Sequence, residues 1–131
     1  MLRSVMRKKI LVVDDDADVV ELIRFNLKGA GFSVGTATNG LDALKKARSI
    51  RPDLIVLDLM MPELDGFAVC EILRRERATG MIPIIILTAL SGELGRLSGI
   101  ECGATEYLTK PFSPKAVVAR IQNLLGLAPR N

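Results

Sequence analysis

The sequence predicts an α/β fold in which a five-stranded parallel sheet is covered on both faces by helices. Two observations carry that prediction. Residues 10–13, 54–57 and 84–87 are short apolar runs without polar alternation; strands buried on both faces of a parallel sheet read this way, whereas half-exposed strands alternate. Between and after these runs lie segments with helical spacing, so that strand and helix alternate five times, the pattern of βα units joined by crossovers. A length of 131 residues suits one such domain and is too short for two.

The elements follow in order. The first strand, 10–13, leads into a helix with the stripe Val20, Ile23 and Leu27, which stops at Gly29-Ala30-Gly31. A weaker strand is expected at 32–37, then a short helix over 39–49 with Leu41 and Leu44 inward. After the strand at 54–57, a helix carrying Phe67, Cys70 and Leu73 runs to near Gly80. The strand at 84–87 precedes a fourth helical segment containing Gly92, Gly95 and Gly99. Each glycine costs about 1 kcal/mol against alanine in a helix interior, so this helix is expected to be short or mobile. The last strand, 106–109, precedes Pro111, and Ser113-Pro114 marks a helix start, a capping hydroxyl before proline at the first helical position. Val118, Ile121 and Leu125 form the stripe of that helix. Right-handed crossovers leave few ways to wind five βα units. The expected result is a flavodoxin-like three-layer (βα)5 sandwich with strand order 2-1-3-4-5.

Composition narrows the chemistry. The chain has no histidine, which excludes a Ser-His-Asp triad, a Cys-His dyad, a His-ligated zinc site and a phosphohistidine carrier. The net charge is +3, from 18 Lys and Arg against 15 Asp and Glu. The basic residues gather at Arg3, Arg7, Lys8 and Lys9 and at Arg74, Arg75 and Arg77, with no aromatic residues between them to stack on bases. Direct nucleic-acid binding by this domain is therefore not expected. Cys70 and Cys102 form no Cys-x-x-Cys pair; both fall in segments that read as helices, as reduced thiols of a cytoplasmic protein. No run approaches the ~20 apolar residues of a membrane span, and residues 10–13 are too short for a signal-peptide core.

In an open α/β sheet, ligands bind beyond the carboxyl ends of the strands. Asp14 and Asp15 follow the first strand, Asp58 the third, Thr88 the fourth and Lys110 the fifth. Three carboxylates, a hydroxyl and an ammonium should meet on one rim. Carboxylates so close repel one another unless a cation offsets them. Oxygen ligands with open positions favour Mg²⁺, which also binds phosphate oxygens. With a carboxylate nucleophile and Lys110, this is the composition of a phosphoryl-transfer site. Each residue has a plainer reading: a helix cap among Asp14 to Asp16, a turn at Asp58, a surface lysine at 110. One Asp would suffice as a cap, and coincidence at every strand end is not expected. Asp14, Asp16 and Asp18 also match the first three ligand positions of an EF-hand loop, but Val19 replaces its glycine and Phe25 its bidentate Glu.

These residues carry a resemblance. From about Lys8 to Leu125 the chain resembles the receiver domain of two-component response regulators, through Ile-Leu-Val-Val-Asp-Asp (10–15), Pro-Asp-Leu-Ile-Val-Leu-Asp-Leu-Met-Met-Pro (52–62), Asp-Gly (65–66), Pro-Ile-Ile-Ile-Leu-Thr-Ala (83–89) and Gly-Ala-Thr-Glu-Tyr-Leu-Thr-Lys-Pro-Phe (103–112). The resemblance implies that Asp58 is the phosphoacceptor, receiving its phosphoryl group from a sensor histidine kinase or histidine phosphotransfer protein that supplies the missing histidine in trans. It implies Mg²⁺, with Mn²⁺ as a substitute, held by Asp15, Asp58 and the backbone carbonyl of Met60, with Asp14 acting mainly through a water. Lys110 is expected to pair with a phosphoryl oxygen, and its peptide bond to Pro111 is expected to be cis. Thr88 is expected to move inward and hydrogen-bond the phosphoryl group, while Ala89 leaves room and offers its N–H. Tyr107 is expected to follow Thr88, swinging from exposed to buried and reshaping the face made by the fourth helix, fifth strand and fifth helix. That face would control an output domain or a target protein, by population shift.

Two apolar residues, Met60 and Leu90, are expected to flank the phosphoryl group; neither can orient an attacking water, so slow self-dephosphorylation is expected. Residues 113–121 resemble the last helix of receivers attached to winged-helix transcription factors, which usually carry Glu where Ala116 stands and an acidic pair where Thr105-Glu106 stands. Two of those acids are lost, at Thr105 and Ala116, which weakens the salt-bridge network expected to support a phosphorylation-dependent homodimer. The expected organisation is a basic extension over 1–8, the receiver domain over 9–126 and a tail or linker start over 127–131. Of the competing readings, a haloacid-dehalogenase-like phosphatase would use Asp14 and Asp16 as its Asp-x-Asp motif, but it lacks a later acidic pair and leaves Asp58 idle. A flavodoxin-like cofactor binder needs a phosphate loop where the acids stand. A receiver serving only as an interaction module would not need the complete acceptor set. The expected protein is a signalling domain, not an enzyme acting on a separate substrate.

Overall fold

The structure, a computed structural model, describes residues 7–89, 102–110 and 112–127. Its elements run β1 (Lys9–Val13), α1 (Ala17–Gly29), β2 (Ser33–Ala37), α2 (Gly40–Ile50), β3 (Leu54–Asp58), α3 (Gly66–Arg75), β4 (Ile84–Thr88), β5 (Glu106–Thr109) and α4 (Pro114–Leu124). All strand pairs are parallel and the sheet order is β2-β1-β3-β4-β5, as expected for a flavodoxin-like sandwich. The fourth predicted helix, with Gly92, Gly95 and Gly99, lies outside the described residues, as do Leu90 and Pro111.

Strand periodicity explains the three layers. Successive side chains leave opposite faces of a strand, and here both faces are apolar. Leu11, Val13, Ile55, Leu57, Ile84 and Ile86 pack with Ala43, Leu44 and Ala47 of α2 and Val69, Cys70 and Leu73 of α3. The intervening Ile10, Val12, Leu54, Val56, Ile85 and Leu87 pack with Val20, Ile23 and Leu27 of α1 and Val117 and Ile121 of α4. Each such Leu or Ile stabilises the fold by roughly 1.5–3 kcal/mol when fully buried, so the three central strands anchor the domain.

Each described helix begins at a side-chain cap. Asp16 accepts the Asp18 and Val19 N–H groups at 2.9 and 3.4 Å. Asn39 accepts from Asp42 at 2.8 Å, Asp65 from Ala68 at 2.9 Å, and Ser113 from Ala116 at 3.4 Å with Pro114 beside it.

The structure departs from the sequence expectations at four places. Leu41 is 69% exposed while Leu44 is buried; the inward stripe of α2 is Gly40, Ala43, Leu44 and Ala47, and Leu41 lies about 100° round the helix from its first member. Helix α3 ends at Arg75 rather than near Gly80. The Thr79 hydroxyl donates to the Leu73 carbonyl at 2.7 Å, and Arg74 reaches the carbonyls of Gly80, Ile82 and Gly103, so tertiary partners replace the next helical turn. In α4, Val117 rather than Val118 is fully buried, with Val118 and Leu125 partly buried at the edge of the same stripe. Cys102 lies in a turn, not a helix, where its carbonyl accepts the Cys70 thiol at 2.9 Å.

Candidate functional site

Register builds the site. Val13 pairs with Leu57, Asp58 with Leu87, and Thr88 with Thr109, so the carboxyl ends of β1, β3, β4 and β5 finish nearly level. The Lys110 N–H continues the ladder onto the Thr88 carbonyl at 2.7 Å, and the Asp14 N–H reaches Ala37 at 3.2 Å. Side chains just past those ends therefore point into one space.

Asp14, Asp15 and Asp58 each place a carboxylate oxygen within 4.8 Å of the others'. Because Asp16 serves as the cap of α1, Asp14 and Asp15 are not needed for capping. Asp14 and Asp58 are only 1% and 2% exposed, whereas Asp15 is exposed. Asp14 accepts the Asp16 N–H at 3.0 Å through one oxygen and Lys110 Nζ at 3.0 Å through the other. Lys110 Nζ stands 3.5 Å from Asp58 Oδ1, which also accepts the Met60 N–H at 3.2 Å.

One ammonium thus faces several carboxylates. Burial, reinforced by the Asp14 charge, pushes the Asp58 carboxyl up to about 6, against the lowering effects of the Met60 N–H and Lys110. Burial lowers the Lys110 ammonium, but its hydrogen bond to Asp14 and the charge of Asp58 outweigh that effect and raise it. The cluster is under-neutralised, and the cheapest remedy is a cation with hard oxygen preferences. The donor set fits such an ion.

The other predicted residues that the structure describes lie on or just past β3, β4 and β5. Thr88 is fully buried at the end of β4, and Ala89 after it is exposed. The Met60 side chain is 56% exposed at the rim. Tyr107 is half-buried, level with Ile86 and packed on the α2–α3 side of the sheet. Residues that sequence reasoning missed support the loop after β3. Gly66 donates its N–H to the Leu59 carbonyl at 3.0 Å, and a Cβ there would lie 2.2 Å from the Asp58 carbonyl oxygen. The Asp-Gly pair at 65–66 was the only sequence signal for this. A separate concavity of about 900 Å³, between Arg24, Phe25 and Lys28 of α1 and Lys115 and Val118 of α4, contains none of these residues.

Fold and site together define an α/β domain with a buried, lysine-bridged acid cluster at the carboxyl edge of its sheet. A sequence model of the response regulator receiver domain matches residues 10–122, and the chain belongs to that family. It is 51% identical over 120 residues to the alkaline phosphatase synthesis transcriptional regulatory protein PhoP of Bacillus subtilis, covering 92% of this chain and 49% of that protein. Among solved structures it is similar to the chemotaxis protein CheY4 of Vibrio cholerae, with a TM-score of 0.85, 33% identity, and coverage of 89% of this chain and 98% of that one. The response regulator DrrB of Thermotoga maritima gives a TM-score of 0.82 at 33% identity, covering 92% of this chain and 53% of that one. The chain spans about half the length of the curated relatives it matches. As a receiver domain of two-component systems it is a signalling module and not a metabolic enzyme. No helix among the described residues is long and apolar enough to cross a membrane.

Proposed function

We propose that the domain is a phosphorylation-activated switch whose acceptor is Asp58. The observation that carries this reading is the meeting of three carboxylate oxygens within 4.8 Å beside the Lys110 ammonium. An Asp58 oxygen attacks phosphorus, the bond between phosphorus and the donor imidazole nitrogen breaks, and the phosphoryl group becomes an acyl phosphate on Asp58. The donor histidine would belong to a sensor kinase or phosphotransfer protein, a reading with which the absence of histidine from these 131 residues is consistent.

Asp15, Asp58 and the Met60 carbonyl would hold Mg²⁺, with Asp14 behind them, and the ion would neutralise charge on the transferring oxygens. Lys110, already bridging Asp14 and Asp58, turns to a phosphoryl oxygen. Thr88 donates its hydroxyl and Ala89 its N–H to the new group, which adds roughly two negative charges. Tyr107 on the neighbouring strand follows Thr88, so that the face to which β5 and α4 belong is reshaped.

That face would control an output domain or target protein. Relatives of twice the length are named as transcriptional regulators, one of them DNA-binding, and a DNA-binding output is the reading they favour for the longer protein. Within the chain Arg120 of α4 pairs with Glu106 of β5, so a homodimer using this face would have to share or exchange that pair. We read 9–126 as the receiver, with 1–8 and 127–131 as flanking segments, in a cytoplasmic protein.

The test is intact mass after incubation with acetyl phosphate. A gain of one phosphoryl group with Mg²⁺, none with EDTA and none in Asp58→Asn is expected. A gain that persists in Asp58→Asn contradicts the assignment.

A further inference from the structure

Gly40, the first residue of α2, is buried behind its capping neighbour Asn39 and carries no functional group. Its backbone is not left-handed, so conformation does not call for glycine there. Space does. A Cβ at position 40 would lie 2.5 Å from the Leu64 carbonyl oxygen, 2.9 Å from Leu64 Cβ and 3.0 Å from Leu64 Cγ, closer than packed carbon and oxygen atoms allow.

Leu64 belongs to the loop between β3 and α3, which begins with Leu59 and Met60. That loop is held from both sides. On one side Gly66 presses against the Asp58 carbonyl and donates to Leu59. Within it, the Met61 N–H turns back onto the Leu59 carbonyl at 3.2 Å, and Glu63 is bent into the left-handed region at φ 65. On the other side stands Gly40, with Leu64 partly buried against the core cluster to which α2, α3 and the sheet contribute. The Met60 backbone, tied at its N–H to Asp58 Oδ1, lies in the stretch so confined.

We propose that Gly40 is a positioning residue of the acceptor site: by letting the start of α2 seat directly on Leu64, it fixes the loop that presents the Met60 carbonyl to the metal, an inference that rests on the function proposed above. Gly40 stands outside every acceptor motif and is not among the residues proposed to hold the metal or the phosphoryl group. Its action runs from α2 through Leu64 to Met60, and displacements well under 1 Å suffice to degrade a site of this kind.

The experiment is a calorimetric Mg²⁺ titration of wild type, Gly40→Ala, Leu64→Ala and Gly29→Ala, with urea unfolding of each. Gly29 is the control, since a Cβ there meets nothing within 4 Å. Gly40→Ala is expected to bind Mg²⁺ about fivefold or more weakly, while Gly29→Ala matches wild type. Leu64→Ala, which loosens the same contact without a clash, is expected to weaken binding in the same direction, and it decides the matter if Gly40→Ala does not fold. Wild-type Mg²⁺ affinity in folded Gly40→Ala, or in Leu64→Ala where the first does not fold, would show a merely structural glycine and overturn the proposal, whatever happens to stability. A wild type that binds no Mg²⁺ overturns the function itself and this inference with it, so the two failures are told apart by the wild-type titration.

Discussion

Replacing Asp58 with Asn should stabilise the metal-free domain at neutral pH, although the same change abolishes its proposed activity. Asp58 is 2% exposed and shares its space with Asp14 and Asp15. Burial first, and the Asp14 charge second, raise its carboxyl from 3.8 to about 6. A folded-state value above the unfolded one means that the folded protein holds the proton more tightly. The stability linked to this group is therefore fully present below pH ~4 and lost as pH rises through ~6. A shift of that size corresponds to roughly 3 kcal/mol at pH 7.5. Asn keeps an oxygen for the Met60 N–H but carries no charge, so a gain of roughly 1–3 kcal/mol is expected in EDTA. Urea unfolding at pH 7.5, 5 and 4 should show the gain shrinking at each step as the wild-type carboxyl takes up its proton. Millimolar Mg²⁺ should then stabilise the wild type and narrow or reverse the difference, since only the native carboxylate site binds it. A variant no more stable than wild type in EDTA at pH 7.5, or a gain that does not fall with pH, would refute the reasoning.

Three further outcomes are expected. Lys110→Met leaves the buried Asp14 and Asp58 without their bridging cation; urea unfolding at pH 7.5 should show a loss of roughly 1–3 kcal/mol, and phosphorylation by acetyl phosphate should slow markedly. Thr88→Ala should still be phosphorylated on Asp58 but fail to move Tyr107. The chain has one tyrosine and no tryptophan, so its ultraviolet emission reports on Tyr107 alone, and an unchanged emission response in the variant would break the link between the two residues. Met60→Asn and Leu90→Glu should each shorten the phosphoaspartate half-life several-fold by giving an attacking water a polar partner; no acceleration in either would sink the role given to those apolar side chains.

The sheet and its order were legible because three strands are buried on both faces and so read as unbroken apolar runs. The strand-end residues followed from topology: once the strands are parallel, Asp14, Asp58, Thr88 and Lys110 can only finish at one edge. Features set by tertiary contact were not legible. The end of α3 depends on Thr79 and Arg74 gripping carbonyls elsewhere in the chain, and Glu76, just past that end, is drawn to Arg48 of α2 at 2.6 Å. The inward place at the start of α2 goes to Gly40 rather than Leu41, because the Leu64 backbone fills the space a side chain would need. Within the site, the sequence could not say that Lys110 lies closer to Asp14 than to Asp58, at 3.0 against 3.5 Å, nor that Asp16 alone would cap α1.

Chemical trapping reads out which side chain receives the phosphorus. Treatment with acetyl phosphate and Mg²⁺, followed by borohydride reduction, converts an aspartyl phosphate to homoserine, which peptide sequencing locates. Homoserine at position 58, dependent on Mg²⁺ and absent elsewhere, is the predicted result. Homoserine at position 14 or 15, or a phosphoryl group on a hydroxyl residue that resists reduction, would contradict it.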